Sequence, residues 1–170
     1  KDKFDRSKMP PSGANPTVKI PAFKTLSQDG MKMLTAVSDE IPTMVITIGL
    51  KGGRLAEQAN LSKAGLANLF TQMMDEDTKK HTAEEITVML DKLGSSISIG
   101  TDINETSIQV RCLKKNLKPT LDILEERLLQ PNFTQDAFDR LKTQTLEGIK
   151  NSKTRAAVVA SNAYSKISYG

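Results

Sequence analysis

Thr82-Ala83-Glu84-Glu85-Ile86-Thr87-Val88-Met89-Leu90-Asp91-Lys92-Leu93-Gly94-Ser95-Ser96-Ile97-Ser98-Ile99 changes its hydrophobic period midway, and that change decides the fold class. Ile86, Met89, Leu90 and Leu93 recur at the spacing of one helix face. Thr82 with Glu85 three residues on forms a capping box, in which a hydroxyl and a carboxylate satisfy backbone donors left over at a helix start. Gly94 ends the helix, and beyond it Ile97 and Ile99 alternate with serines at period two, the mark of a strand with one buried face.

Upstream, Met44, Ile46, Ile48 and Leu50 hold strict period two in a strand ended by Gly52-Gly53. Before it, Phe23 to Leu26 alternates, Gln28-Asp29-Gly30 is a hairpin turn signal, and a return strand runs from Met31 toward Val37. Between strand and capping box, Ser62 is placed to cap a helix from Lys63 to Met74 whose apolar face is Leu66, Leu69, Phe70 and Met73.

Downstream, Asp102 to Glu105 turns the chain and Ser107 to Leu113 alternates again, making a second hairpin. Leu117, Leu121, Leu124 and Leu128 mark a helix stopped before Pro131, Phe133-Thr134 opens another with Ala137, Phe138 and Leu141 on one face, and an Ala-rich helix spans Ala156 to Ile167. The order is three strands, two helices, two strands, three helices. Hairpins with segregated helices predict an α+β fold, a two-layer sandwich with an antiparallel or mixed sheet and helices on one face.

Residues 1–21 hold Pro10, Pro11, Pro16 and Pro21 with Ser12-Gly13, a composition suited to an extended linker or strap, so the globular domain is expected over 22–170. Lys1 to Lys24 carries six Lys or Arg against two Asp, and the remainder holds 18 of each sign, so the net charge of +4 is local to this leader. With no basic stripe and only 5 Phe and 2 Tyr for stacking, nucleic acid is not an expected partner. No apolar run approaches the roughly 18 residues of a spanning helix, so no membrane insertion is expected. The single cysteine, Cys112, excludes an internal disulfide, and its place in the alternation Ile108, Val110, Cys112 predicts a buried thiol. The chain begins at Lys1 without Met and stops at Tyr169-Gly170 straight after a helical pattern, so both ends read as cuts and the domain is expected to be truncated at its C-terminus.

Asn68, Thr71, Gln72 and Asp75 lie at i, i+3, i+4 and i+7, a polar stripe that by itself reads as a solvated helix face. His81, the one histidine, stands just before a helix cap and reads as an exposed loop residue. Gly52-Gly53-Arg54 lacks the further Gly and Lys of a phosphate loop and reads as a strand-end turn. A catalytic triad would need His81 as its base, and no nucleophile motif surrounds any Ser or Cys.

The stretch Gly65-Leu66-Ala67-Asn68-Leu69-Phe70-Thr71-Gln72-Met73 resembles the zinc-site helix of the pitrilysin, insulinase and mitochondrial-processing-peptidase family of metallopeptidases. In that helix a Gly-Leu-Ala-like lead enters an inverted H-x-x-E-H motif followed by Met. Two His at i and i+4 share a helix face to hold Zn²⁺, and the Glu polarises the attacking water. Further pieces in matching order extend the resemblance to nearly the whole chain. They are Phe4-Asp5-Arg6-Ser7-Lys8-Met9-Pro10-Pro11, which is similar to the segment joining the halves of bacterial two-half members; Leu26 to Met31; Lys51 to Arg54; Thr82 to Ile86; Leu93-Gly94; Leu117 to Leu128; Pro131-Asn132-Phe133 with the helix from Thr134; and Ser168-Tyr169-Gly170.

The resemblance implies a departure at the site itself. The ligand positions fall on Asn68 and Gln72, the catalytic Glu on Thr71, and Glu147 stands near the third-ligand position. Neutral amides are poor ligands for a divalent transition metal, and a Thr hydroxyl is no general base near neutral pH. The resemblance therefore implies a non-catalytic half-module with no cofactor of its own. Its expected partners are an active zinc-bearing half of the same protein or a homologous subunit, and a peptide substrate that the halves enclose. A dead scaffold or interaction subunit with no active partner half is the alternative. Likeness to exported bacterial members places it in the periplasm or cell envelope, with the cytoplasm as the other compartment.

Overall fold

A computed structural model of the chain describes residues 21–38 and 40–169 together with Ser7 and Gly13. The leader read as a strap thus lies almost wholly outside the described residues. The chain divides into two units, Lys1–Ile41 and Pro42–Gly170.

In the first unit, β1 (Lys24–Gln28) pairs antiparallel with β2 (Met31–Thr35), Leu26 opposite Met33 and Gln28 opposite Met31. Asp29 and Gly30 take φ of 50° and 80°, the positive pair that a two-residue hairpin turn requires and that the Asp-Gly dipeptide supplies most cheaply.

In the second unit the elements follow the expected order: β3 (Thr43–Lys51), α1 (Leu66–Met73), α2 (Ala83–Leu93), β4 (Ser96–Thr101), β5 (Glu105–Leu113), α3 (Leu117–Leu129), α4 (Gln135–Ser152) and α5 (Ala156–Tyr169). The three strands form an antiparallel sheet in the order β3-β5-β4. Its register aligns the apolar positions into rows: Ile46, Val110 and Ile97 in one, Ile48, Ile108 and Ile99 in the next. Because side chains alternate across a strand, these rows share one face, while Thr47, Gln109 and Ser98 share the other. On the apolar face sit Ile86 and Leu90 of α2, Ile123 and Leu124 of α3, and Met74. This is an α+β fold with helices on one face of an antiparallel sheet. Cys112 is buried at the end of the same alternation, opposite Met44.

The capping box at Thr82 is present with both of its bonds, and Gly94 closes α2 with φ 58°. The start of α1 differs from expectation. It begins at Leu66 rather than Lys63, and Ser62 does not cap it. Asn60 Oδ1 accepts from both the amide and the hydroxyl of Ser62, folding Leu61–Lys63 into a separate 3₁₀ turn. Gly65, at φ 92°, then redirects the chain. The orphan donors at the helix start go to a carboxylate from further back: Glu57 accepts from Gly65 N and Ala67 N, each at 2.7 Å. These bonds, Ala67 first, hold the Glu57 carboxyl below its ordinary range.

The turn read at Gly52-Gly53-Arg54 is present and has a second task. Arg54 N and Leu55 N donate to Asp102 O and Ile103 O, so the chain leaving β3 lies against the β4–β5 turn. Contact is close enough at Gly53 that an added Cβ would stand 2.3 Å from Asp102 O.

Candidate functional site

Two faces of α1 are buried, and the expected site residues lie between them. Leu69 and Met73 pack on Ala137, Phe138 and Leu141 of α4, while Met74 joins the core over the sheet. Phe70 meets Phe133 edge-on at 6.1 Å between centroids, and Arg140 Nη2 reaches Glu76 at 2.5 Å. The segment 70–76 therefore runs alongside 133–140 in the same sense.

Of the three residues expected at the degenerate site, Asn68 is exposed, Gln72 is half-buried and Thr71 is buried. The Thr71 hydroxyl is spent within the helix, donating to Asn68 O at 2.9 Å. Glu147 is exposed on α4, six residues beyond Leu141, or about 9 Å further along that helix. The structure thus puts Asn68, Thr71 and Gln72 on one helix and Glu147 on the helix packed against it. Among the described residues, no hydrogen bond or ion pair joins Glu147 to Asn68 or Gln72, and no three His, Cys, Asp or Glu side chains converge as a metal site would require. Beside α1 an open cleft of about 400 Å³ is lined mainly by apolar groups, Gly53, Leu66, Ala67 and Phe70 among them.

The polar chemistry concentrates just after α1, in the segment 75–82. Glu126 of α3, buried, accepts from the Thr78 hydroxyl and from His81 Nδ1, the latter at 2.9 and 3.1 Å to its two oxygens. Burial pushes the Glu126 carboxyl up, but the bonds from Thr78 and His81 and the charges of His81 and Lys80 outweigh it and hold the group below its ordinary range. One turn face away, Arg127 Nη1 donates to Asp75 Oδ1 at 3.0 Å, and the buried Arg127 Nε has no partner. Asp75 is raised: burial and the neighbouring Glu76 push it up by more than Arg127 pulls it down. Backbone bonds add Lys79 N to Gln130 O and Asn132 N to Asp77 O, with a bridge between Thr78 and Pro131.

His81 is therefore not the exposed loop residue its position suggested. Its side chain is 36% exposed and tied to a carboxylate 45 residues away. Sequence reasoning also missed Glu126 and Arg127, which fall off the leucine stripe of α3. Their partners lie about 50 residues upstream, and no local pattern marks such a pairing.

Comparison with known proteins bears on the family. The family profile described as insulinase (peptidase family M16) matches residues 32–169. A curated relative, the non-peptidase homolog YmxG of Helicobacter pylori, is 31% identical over 109 residues, which are 64% of this chain and 25% of that protein. A solved peptidase M16 inactive domain from Pseudomonas fluorescens superposes with a TM-score of 0.77 at 24% identity, over 85% of this chain and 35% of the other. A protease structure from H. pylori gives a TM-score of 0.64 at 18% identity, over 76% of this chain and 31% of the other. The chain thus spans a quarter of the curated relative and about a third of each solved chain. Among the described residues no helix is long and apolar enough to cross a membrane. With the fold, the order of elements and the profile in agreement over most of its length, this chain belongs to the insulinase (peptidase M16) family.

Proposed function

We propose that this chain is a non-catalytic half-module of a zinc metalloendopeptidase, helping to enclose and position a peptide cut by an H-x-x-E-H half outside it. The observation that carries the reading is α1 itself. The helix packs on α4 and the core, while the resemblance aligns Asn68, Thr71 and Gln72 with the positions of two imidazoles and a general base. Scaffold retained with chemistry removed suits a wall rather than a catalyst. The apolar cleft beside α1, with Leu66 and Phe70 about half exposed at it, supports contact with an unfolded peptide. Zinc, on this reading, belongs to the partner half.

Similarity to a non-peptidase homolog favours a second reading, a scaffold or interaction subunit with no active half at all. One experiment separates the two. The protein is purified from its native source with whatever is bound to it, and assayed on an unstructured fluorogenic peptide with and without a zinc chelator. Chelator-sensitive cleavage that is lost when residues 42–170 are deleted supports the half-module. Absence of any H-x-x-E-H sequence from both the polypeptide and its complexes overturns it in favour of the scaffold.

A further inference from the structure

We propose that the Glu126 carboxylate is a clasp that holds the segment 78–82 shut only while it is ionised, so that protonating it opens this segment locally before the rest of Pro42–Gly170 unfolds. The proposal is independent of whether an active half exists.

The geometry is a ring of donors aimed at one acceptor. His81 N and Lys80 N donate to Thr78 Oγ1 at 3.0 and 3.3 Å. With its lone pairs so filled, the Thr78 hydroxyl has one proton, shared between Glu126 Oε1 and, at 3.0 Å, His81 O. His81 Nδ1 closes the ring on the same carboxylate. An ionised carboxylate is acceptor-only and satisfies every member. A protonated one carries an O–H that needs an acceptor of its own, and within the ring the Thr78 oxygen is already occupied by Lys80 N and His81 N.

The surrounding charges sharpen the effect. Lys80 and His81 face Glu126 from the segment. Asp122 and Glu125 of its own helix and Gln130 line, with Glu126 and the apolar Met89 of α2, an open cleft distinct from the one beside α1. Neutral Glu126 would leave the two cationic groups of the segment without the charge they converge on. On either side of these residues the bonds are between backbone groups, which do not titrate: Asp75 N and Glu76 N donate to Gln72 O and Met73 O, Asn132 N donates to Asp77 O, and Ile86 N donates to Thr82 O. Those bonds keep the flanking helices anchored, which confines the opening to the segment between them.

Hydrogen–deuterium exchange on the full chain, corrected for intrinsic rates, tests this. The amides of Lys79, Lys80 and His81 report the segment, and those of Ile108 and Val110 in β5 serve as the core reference. Glu126→Gln keeps the shape of the side chain, removes its charge and replaces one acceptor with a donor. It should speed segment exchange about tenfold or more near neutral pH, the scale of losing hydrogen bonds to a charged group, while β5 remains far more protected than the segment. Wild type should reach the same open state only in acid, below about pH 4, with β5 still protected. Segment exchange in Glu126→Gln as slow as in wild type would overturn the proposal. So would wild-type segment and β5 losing protection together in acid, and this series decides alone if the variant does not fold.

Discussion

Single residues in this chain are constrained mainly by what lies next to their backbone, and two glycines show the contrast. A Cβ at Gly53 would meet Asp102 O at 2.3 Å and Glu105 N at 2.6 Å, both backbone atoms of a turn that cannot step aside without breaking its own bonds. Gly53→Ala should therefore destabilise by about 2 kcal/mol, at the scale of overpacking a tight interior. At Gly148, inside α4, a Cβ meets nothing within 4 Å. Gly148→Ala should stabilise by about 0.5–1 kcal/mol, since Ala gives up less backbone freedom in a helix. Urea midpoints of the two variants check both signs at once, and equal shifts would mean that the close approach at Gly53 is not what holds the strand exit. Thr71 makes the same point for the degenerate site. It is buried with its hydroxyl bonded to Asn68 O, so restoring a Glu there would place a carboxylate where nothing neutralises it.

Whole elements were legible from sequence wherever a local signal fixed them. The capping box fixed α2, the Asp-Gly turn fixed the first hairpin, and strict alternation fixed β3 and β5. The start of α1 was not legible, because the group that caps it is Glu57, eight and ten residues away across a 3₁₀ turn, while Ser62 offered a cap of ordinary appearance that Asn60 captures instead. Of the site, α1 and its three polar positions were legible. The clustering around Glu126 was not, since Thr78, His81 and Glu126 meet only after α3 has packed. The element-scale prediction follows from the exposure of α1. Asn68 and Gln72 are not in the core, so Asn68→His with Gln72→His should fold and place two imidazoles one helical turn apart. The wild-type chain is expected to hold no stoichiometric Zn²⁺ after dialysis, and the double variant to bind it measurably. Adding Glu147→Gln should weaken that binding if α4 supplies the third ligand of a His₂Glu set. Zinc bound by the double variant with no dependence on Glu147 would remove Glu147 from the site.

At the scale of the molecule, the core residues named over the sheet all lie within Pro42–Gly170, and three carboxyls of that unit are shifted: Glu57 and Glu126 downward, Asp75 upward. Glu126 is lower in the folded chain than its unfolded value of about 4.3. Its contribution to stability is therefore fully present above that value and is lost as pH falls through the folded one. Asp75 is raised above its unfolded value of about 3.9, so its ionised form costs stability near neutral pH, and the cost is relieved as pH falls through the raised value. Half the Asp75 side chain is exposed, and its pairing with Arg127 is screened on that side, so its contribution is the smaller of the two. The stability of the wild-type chain should accordingly stay level or rise slightly from neutral pH to about pH 5, then fall below about pH 4. Glu126→Gln should lower the neutral plateau and flatten the acid fall, because the group whose protonation drives that fall has been replaced by one that does not titrate. Urea midpoints across this range for the two proteins measure both features. A wild-type midpoint that already falls between about pH 6 and pH 5 would reverse the expected order of the two carboxyls, and an acid fall undiminished in Glu126→Gln would place its cause outside the segment after α1.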